Sequence, residues 1–370
     1  MKQTSATDPD RSIASYWSDL PLTLFDHLDG VVGSLTPSHQ DVALVLETVR
    51  IEEHVQEPCS DLGRPCCPRK PMARAFVAKA VLNVPTTKDL IDRLGVDIRL
   101  RRICGFAHGV PSQASFSRAF SDFAANGLAD ATHEAAVRSV FGQTIFHHGA
   151  IDAASVPARE RGVRKEESPA SAPKKRGRQK GQGKHESRKE PSPQERQLTQ
   201  SLEQMLVELP RVCDHGVKIG PKGYTIHWRG YKAHAHVGDG GIPLAFMTTS
   251  ASVHDSRAAI PLLRLTSGRI LALFYALMDK AYAGAPIAQA AADLGHVPIV
   301  PPKAERNHPA PEFTPDRKRR YDHRTSVERF FSDLKDNHGG NHLFVKGGHK
   351  VQAHLMFGVL AIFGLSVFRL

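Results

Sequence analysis

Through the first 140 residues, apolar positions recur at helical spacing. The stretch "PMARAFVAKAVLNV" (71–84) is built of helix formers, and "TTKDLIDRLGV" (86–96) opens on threonine caps and stops near Gly95. In "PSQASFSRAFSDFAANG" (111–127), Phe116, Phe120 and Phe123 fall at i, i+4 and i+7 between a Ser112 cap and a Gly127 stop. The spacing predicts three short helices. They fit either a plain scaffold or a helix-turn-helix-like unit, whose free face would carry Gln113, Ser117 and Arg118.

Beyond them the period changes. Gln143 to Val156 is apolar and partly β-branched, as a strand would be, and it leads into Asp152. "LTQSLEQMLVELP" (198–210) predicts one short amphipathic helix. "KGYTIHWRGYKAHAHV" and "IPLAFMTTS" flank the turn "GDGG" and predict a hairpin. A helix over "SVHDSRAAIPLLRLTSGR", a buried strand "LALFYALMD" ending at Asp279, a helix "APIAQAAADLG" and a strand "HVPIVPP" follow. The order β, long insert, β-β, α, β, α, β, α predicts a mixed sheet flanked by helices. Asp214, before a Gly-rich turn, Asp239, in the hairpin turn, and Asp255, as a helix cap, are read as structural.

The stretch "YDHRTSVERFFSDLK" (321–335) is read as a single helix. At about 100° per residue, Val327, Phe330, Phe331 and Leu334 make one apolar stripe, with Tyr321, Arg324, Glu328 and Lys335 in a row beside it. By itself such a row is a surface face with an Arg324–Glu328 pair of a few tenths of a kcal/mol. Asp152 and Asp279 alter the picture, because both end predicted strands, where ligand sites of α/β sheets gather.

The chain has 370 residues, a net charge of +11 and a pI near 9.5, which points to a polyanionic partner. Between Arg159 and Arg196, thirteen Lys and Arg stand against six Glu, a net of +7. That stretch has no apolar periodicity and reads as a disordered basic tether or phosphate-binding arm, with Lys174, Lys175, Arg176 and Arg178 at its centre. The five cysteines form no CxxC pair, which argues against a disulfide framework or zinc knuckle and for a reducing, cytoplasmic setting. The apolar run Leu355 to Phe368 falls short of the roughly 20 residues needed to cross a bilayer and is read as a buried terminal helix, with no membrane partner. His147, His148, His234 and His236 are read as polar strand faces or phosphate donors, and Trp228 as a cross-strand packing residue.

Tyr321, Arg324, Glu328 and Lys335 stand in the spacing Tyr-x2-Arg-x3-Glu-x6-Lys, which resembles the YREK signature of DDE-type insertion-sequence transposases. "GAIDAASVPARE" and "YALMDKAYAG" resemble that family's two Asp segments, and "GGHKVQAHLMFGVLA" its terminal helix, so the resemblance covers most of the chain. One departure is Ala283, where relatives commonly place an acid after the tyrosine. The resemblance implies an α/β fold: an RNase H-like mixed sheet flanked by helices, preceded by an all-α helix-turn-helix-like N-terminal domain. Its parts would be a helical DNA-binding region (1–140), the first core strand (141–157), a basic insert (158–197) and the rest of the core (198–370). It implies Asp152, Asp279 and Glu328 as catalytic ligands of Mg²⁺ or Mn²⁺, as a pair of ions. It implies DNA contacts from Tyr321, Arg324 and Lys335, joined by Arg118 and the basic insert. The expected partners are double-stranded DNA (terminal inverted repeats and target) and a second copy in a synaptic homodimer, in a bacterial, nucleoid-associated setting. A catalytically silent DNA-binding descendant is the alternative.

Overall fold

The computed structural model describes residues 33–57, 67–107, 109–163, 191–220, 223–302 and 311–370. Lys174, Lys175, Arg176 and Arg178 lie outside the described residues, as do Cys59 and Cys66.

Among the described residues, six helices come first: α1 (Pro37–Val49), α2 (Arg69–Val81), α3 (Thr87–Val96), α4 (Ile98–Ile103), α5 (Gln113–Ala125) and α6 (Leu128–Phe141). Capping fixes their starts. The Thr86 hydroxyl accepts from the Asp89 N–H while the Asp89 carboxylate accepts from the Thr86 N–H, and Ser112 caps α5 through Ser115. Phe116, Phe120 and Phe123 pack on Phe76 of α2, with ring centroids 5.2 to 6.2 Å apart. Gln113, Ser117 and Arg118 are left exposed on α5.

Six strands form one mixed sheet: β1 (Ile145–Pro157), β2 (Asp214–Ile219), β3 (Thr225–Gly238), β4 (Pro243–Ser250), β5 (Ala272–Met278) and β6 (Val297–Ile299). β3 is antiparallel to β1; on its other edge it pairs with β2 through 225–230 and with β4 through 231–237. On the far side of β1 lie β5 and β6, parallel to it. This is the RNase H-like arrangement, a mixed sheet flanked by helices. α7 (Pro193–Thr199), α8 (Leu202–Glu208), α9 (Ser256–Ser267) and α10 (Ala285–Asp293) pack with one face through Ile151, Met247 and Met278. The other face carries α11 (Pro315–Asp322), α12 (Thr325–Asp336) and α13 (Gly348–Val367).

α13 ties sheet to helices. It has 20 residues and is apolar enough by length and composition to cross a membrane, yet 83% of that stretch is buried against α1, α2, α5, α6 and β4. The run read from the sequence was shorter because polar Lys350, Gln352 and His354 interrupt the apolar pattern over the first turns. A Cβ at Gly364 would come 2.9 Å from the Val45 backbone on α1. Gly364→Ala is therefore expected to push the two helices apart and cost about 1–3 kcal/mol, read as a lower urea midpoint with unchanged slope.

Four local expectations need correction. The segment 198–210 belongs to two helices, α7 and α8, each with its own capping box, Ser192 with Glu195 and Ser201 with Gln204. β2 was not foreseen, because most of its residues are exposed and carry little apolar alternation. Asp255 heads α9, but its side chain does not cap; it pairs with Lys232 at 2.8 Å. His234 and His236 are not polar surface positions: both are fully buried, bonded to Thr249 and Thr266 at 2.8 and 2.7 Å. Trp228 packs across the strands, its ring over Gly216 and its indole N–H donating to the Tyr231 carbonyl at 3.1 Å.

Candidate active site

One strand interior, one strand end and one helix build the site. Asp152 does not end its strand as expected, because β1 continues to Pro157 and Asp152 pairs with Ala235 of β3, whereas Asp279 directly follows β5. In the parallel ladder, Ile151 is the partner of Met278, so the next residues, Asp152 and Asp279, emerge side by side. Alternation turns both away from the Ile151/Met278 core, towards the face carrying α12. Asp152 Oδ1 accepts from the Ala153 N–H at 2.8 Å, and Asp279 Oδ1 accepts from Ala281 N–H at 2.7 Å, opening a short 3₁₀ turn. Both carboxylates are thus held by backbone and keep a second oxygen for other use.

The stretch 321–335 is not the single helix expected from its spacing. α11 ends at Asp322 and α12 begins at Thr325, with a turn at His323 and Arg324. The break redirects both turn residues. Arg324 donates to Asp152 Oδ2 at 2.7 Å and to Glu328 Oε1 at 2.5 Å, and the His323 ring stacks on His148 with centroids 4.2 Å apart. Within α12 the apolar stripe forms as expected: Val327, Phe330, Phe331 and Leu334 are all buried.

Arg324 therefore bridges a strand carboxylate and a helix carboxylate, with Asp279 beside them. Burial pushes the Asp152 carboxyl above the usual range, the Ala153 N–H and Arg324 pull it down, and the charge of Asp279 adds to the rise. Burial works against the Arg324 charge, but Asp152, Tyr321 and Glu328 outweigh it and its pKa is raised. Tyr321 is half-buried against Phe313. Burial raises its hydroxyl pKa, Arg324 lowers it, and Asp279, Asp152 and Glu328 each raise it, so one phenol senses all three acids. Lys335 lies two turns further along α12; its charged neighbours are Lys218 and Asp336 rather than the acids. Arg118 is exposed on α5.

Two features near the site do not follow from residue spacing. "RKRR" (317–320) is a basic run immediately before Tyr321, largely exposed on α11, with the Arg320 guanidinium 4.1 Å from the Tyr275 ring centroid. Its density of charge was the available signal. The second is a cluster of His148, Asp239 and His323, whose ligand atoms all lie within 4.8 Å of one another. Asp239 is more than a turn residue: one of its oxygens accepts from the N–H groups of His147 and His148, and the other pairs with His148 Nδ1 at 3.1 Å. His148 and His323 are stacked with their planes 5° apart, so their in-plane lone pairs run parallel rather than converging on one ion.

As a donor set for a divalent ion, Asp152, Asp279 and Glu328 offer only hard carboxylate oxygens, which suits Mg²⁺ or Mn²⁺ better than a softer metal. The Arg324 guanidinium, positive and multidentate, lies against two of the three.

Two carboxylates thus stand on neighbouring strands of an RNase H-like sheet, where the β1–β5 ladder stops, with a third on a late helix. The Transposase DDE domain family matches residues 147–363, more than half of the chain, and the Transposase domain (DUF772) family matches residues 36–122. The chain belongs to the DDE-type insertion-sequence transposases: it is a DNA transposase of a mobile element, and the family acts on DNA with divalent metal. No curated protein and no solved structure matches it.

Proposed function

We propose that the protein cleaves the ends of its insertion sequence and joins the freed 3′-hydroxyl to target DNA, with Asp152, Asp279 and Glu328 holding a pair of Mg²⁺ or Mn²⁺ ions. The observation that carries this reading is the Asp152–Arg324–Glu328 bridge with Asp279 on the adjoining strand end. It joins residues 172 and 176 positions apart in sequence through one guanidinium, which supports a shared role for the acids. When bound, the ions would supply Lewis acidity at both oxygens of an in-line phosphodiester displacement.

The protein's own groups prepare that displacement. The backbone bonds of Asp152 and Asp279 fix their carboxylates before any ion arrives, which limits reorganisation. Arg324 holds Asp152 and Glu328 together; were those acids to hold an ion, its planar donors would be free to meet a phosphate oxygen. Tyr321 offers a ring beside the acids for stacking on a nucleotide, and the 317–320 run steers the DNA backbone towards it. Lys335 and Arg118 are assigned to phosphates further along the duplex, as is the basic insert. No covalent protein intermediate is needed. Two ends must be handled together, so the working form is a homodimer on DNA.

The direct test is nicking of a duplex carrying the element's terminal repeats, with and without Mg²⁺. Cleavage that requires the ion and is lost in Glu328→Gln supports the assignment; cleavage that Glu328→Gln retains overturns it.

A further inference from the structure

A second cationic feature lies between the N-terminal helices and the start of α13. There, α2, the first turn of α3, α5, residues 338–346 and α13 enclose a cavity of about 390 Å³. Among the described residues, four lysines line it, Lys79, Lys88, Lys346 and Lys350, and three histidines, His338, His342 and His354, with no aspartate or glutamate. Phe76, Phe120 and Phe357 give it an apolar floor. The volume is within the range of small-ligand sites.

Lys79 is the informative residue. It is only 9% exposed, and its ammonium makes no hydrogen bond or ion pair among the described residues. Burial draws its pKa down to about 8, with Asp89 opposing. The Asp89 carboxylate is already engaged with the Thr86 N–H and hydroxyl at 3.2 and 2.7 Å. A buried charge with no partner is costly, and folds keep one where something else supplies the counter-charge. The ten-residue helix α3 also opens on this cavity; its capping box takes the Asp89 N–H, leaving the Thr87 and Lys88 N–H groups and the positive end of the dipole. His354 is committed elsewhere, since its Nε2 donates to the Gly339 carbonyl at 2.9 Å.

We propose that this cavity is a nucleotide-phosphate pocket, in which Lys79 and Lys350 neutralise a phosphate at the α3 N-terminus while the phenylalanine floor takes the attached sugar or base. It is separate from the carboxylate site and does not depend on the cleavage reading. The phosphate belongs to a DNA strand or to a free nucleotide; the first presents one negative charge and the second up to two, on the same kind of oxygens.

The pocket has a structural link to the helix carrying Glu328. On the α2–α3 loop, Asn83 donates to the Asp336 carbonyl at 2.7 Å and accepts from the Gly339 N–H at 3.1 Å, bracketing the end of α12. A ligand that orders the pocket therefore also braces that helix.

The test uses the full chain in EDTA, so that cleavage plays no part, and compares wild type with Lys79→Met and Lys350→Gln. Probes are inorganic phosphate, dAMP and a fluorescent DNA duplex, followed by calorimetry and anisotropy across a salt series. Lys79→Met removes an unpaired buried charge at similar volume, so without ligand it should melt no lower than wild type. If the occupant is a strand phosphate, both variants lose about tenfold in duplex affinity and about 1 in salt slope, with dAMP silent. If it is a free nucleotide, wild type binds dAMP in competition with phosphate, and both variants lose that binding by a similar factor. Folded variants that match wild type for all three probes would overturn the pocket.

Discussion

Asp279→Asn is expected to abolish strand cleavage while leaving fold and DNA affinity in place. Asp279 makes no side-chain ion pair among the described residues, and its visible bond is to the Ala281 N–H, which an amide oxygen accepts equally well. The substitution therefore removes charge and little else. With one hard ligand neutralised, the loss should be about 10³-fold or more, roughly 4 kcal/mol of transition-state stabilisation. Glu328→Gln should behave alike, its side chain being largely exposed. Asp152→Asn should lose activity too but will also be less stable by about 1–3 kcal/mol, because it breaks the partly buried contact with Arg324. A melting experiment adds a readout that needs no catalysis: Mn²⁺ should raise the wild-type melting temperature by mass action, and the Asp279→Asn protein should not respond. Full cleavage by Asp279→Asn would remove this residue from the proposed set.

Much of this site was legible because two separate regularities carry it. An Asp that follows a buried apolar strand run was readable in "FHHGAIDAAS" and "LALFYALMD"; that β1 runs on past Asp152 to Pro157 was not, because that part of the strand is held by its distant partner β3. The helix stripe Val327, Phe330, Phe331 and Leu334 likewise followed from period alone. What spacing could not show was the break at His323 and Arg324. Local helix propensity through that stretch is unremarkable, and the turn is set by long-range partners, Asp152 for Arg324 and His148 for His323, about 170 positions away in sequence. The same applies to His234 and His236. Alternation on β3 correctly assigned them to one side of the sheet, but which side is buried depends on α9, whose Thr266 meets His236. The two capping boxes at Ser192 and Ser201, by contrast, were readable signals, since Ser-x-x-Glu and Ser-x-x-Gln mark two helix starts where one was drawn.

Those buried histidines lead to the other large expected effect, a steep loss of stability in mild acid. His133 and His236 have their pKa pushed down by burial to about 3, and His234 and His354 to about 4, against an ordinary 6.5. A histidine whose folded pKa lies below its unfolded one favours the fold above pH 6.5, and its contribution is lost as pH falls from there towards the folded value. Between pH 6 and 4 the unfolded chain takes up protons at these positions and the folded chain does not, so each costs up to about 1.4 kcal/mol per pH unit. Asp130 and Asp152, raised by burial, act in the opposite sense, holding protons in the fold that the unfolded chain releases; two acids offset only part of four histidines. The urea midpoint should therefore drop sharply between pH 6.5 and 4.5, and His236→Gln, which keeps a bond to Thr266 but cannot titrate, should flatten that slope by about one histidine's share. The connection to function is spatial. A Cβ on Gly149 would stand 2.4 Å from His236 Nε2, so the imidazole lies directly against β1, three residues before Asp152. Proton uptake there is expected to loosen the strand that carries Asp152. Activity lost in acid should consequently track unfolding, and recover in part in His236→Gln; a wild-type midpoint that stays level down to pH 4.5 would refute the burial argument, and acid inactivation unchanged in His236→Gln would assign it to the site carboxylates instead.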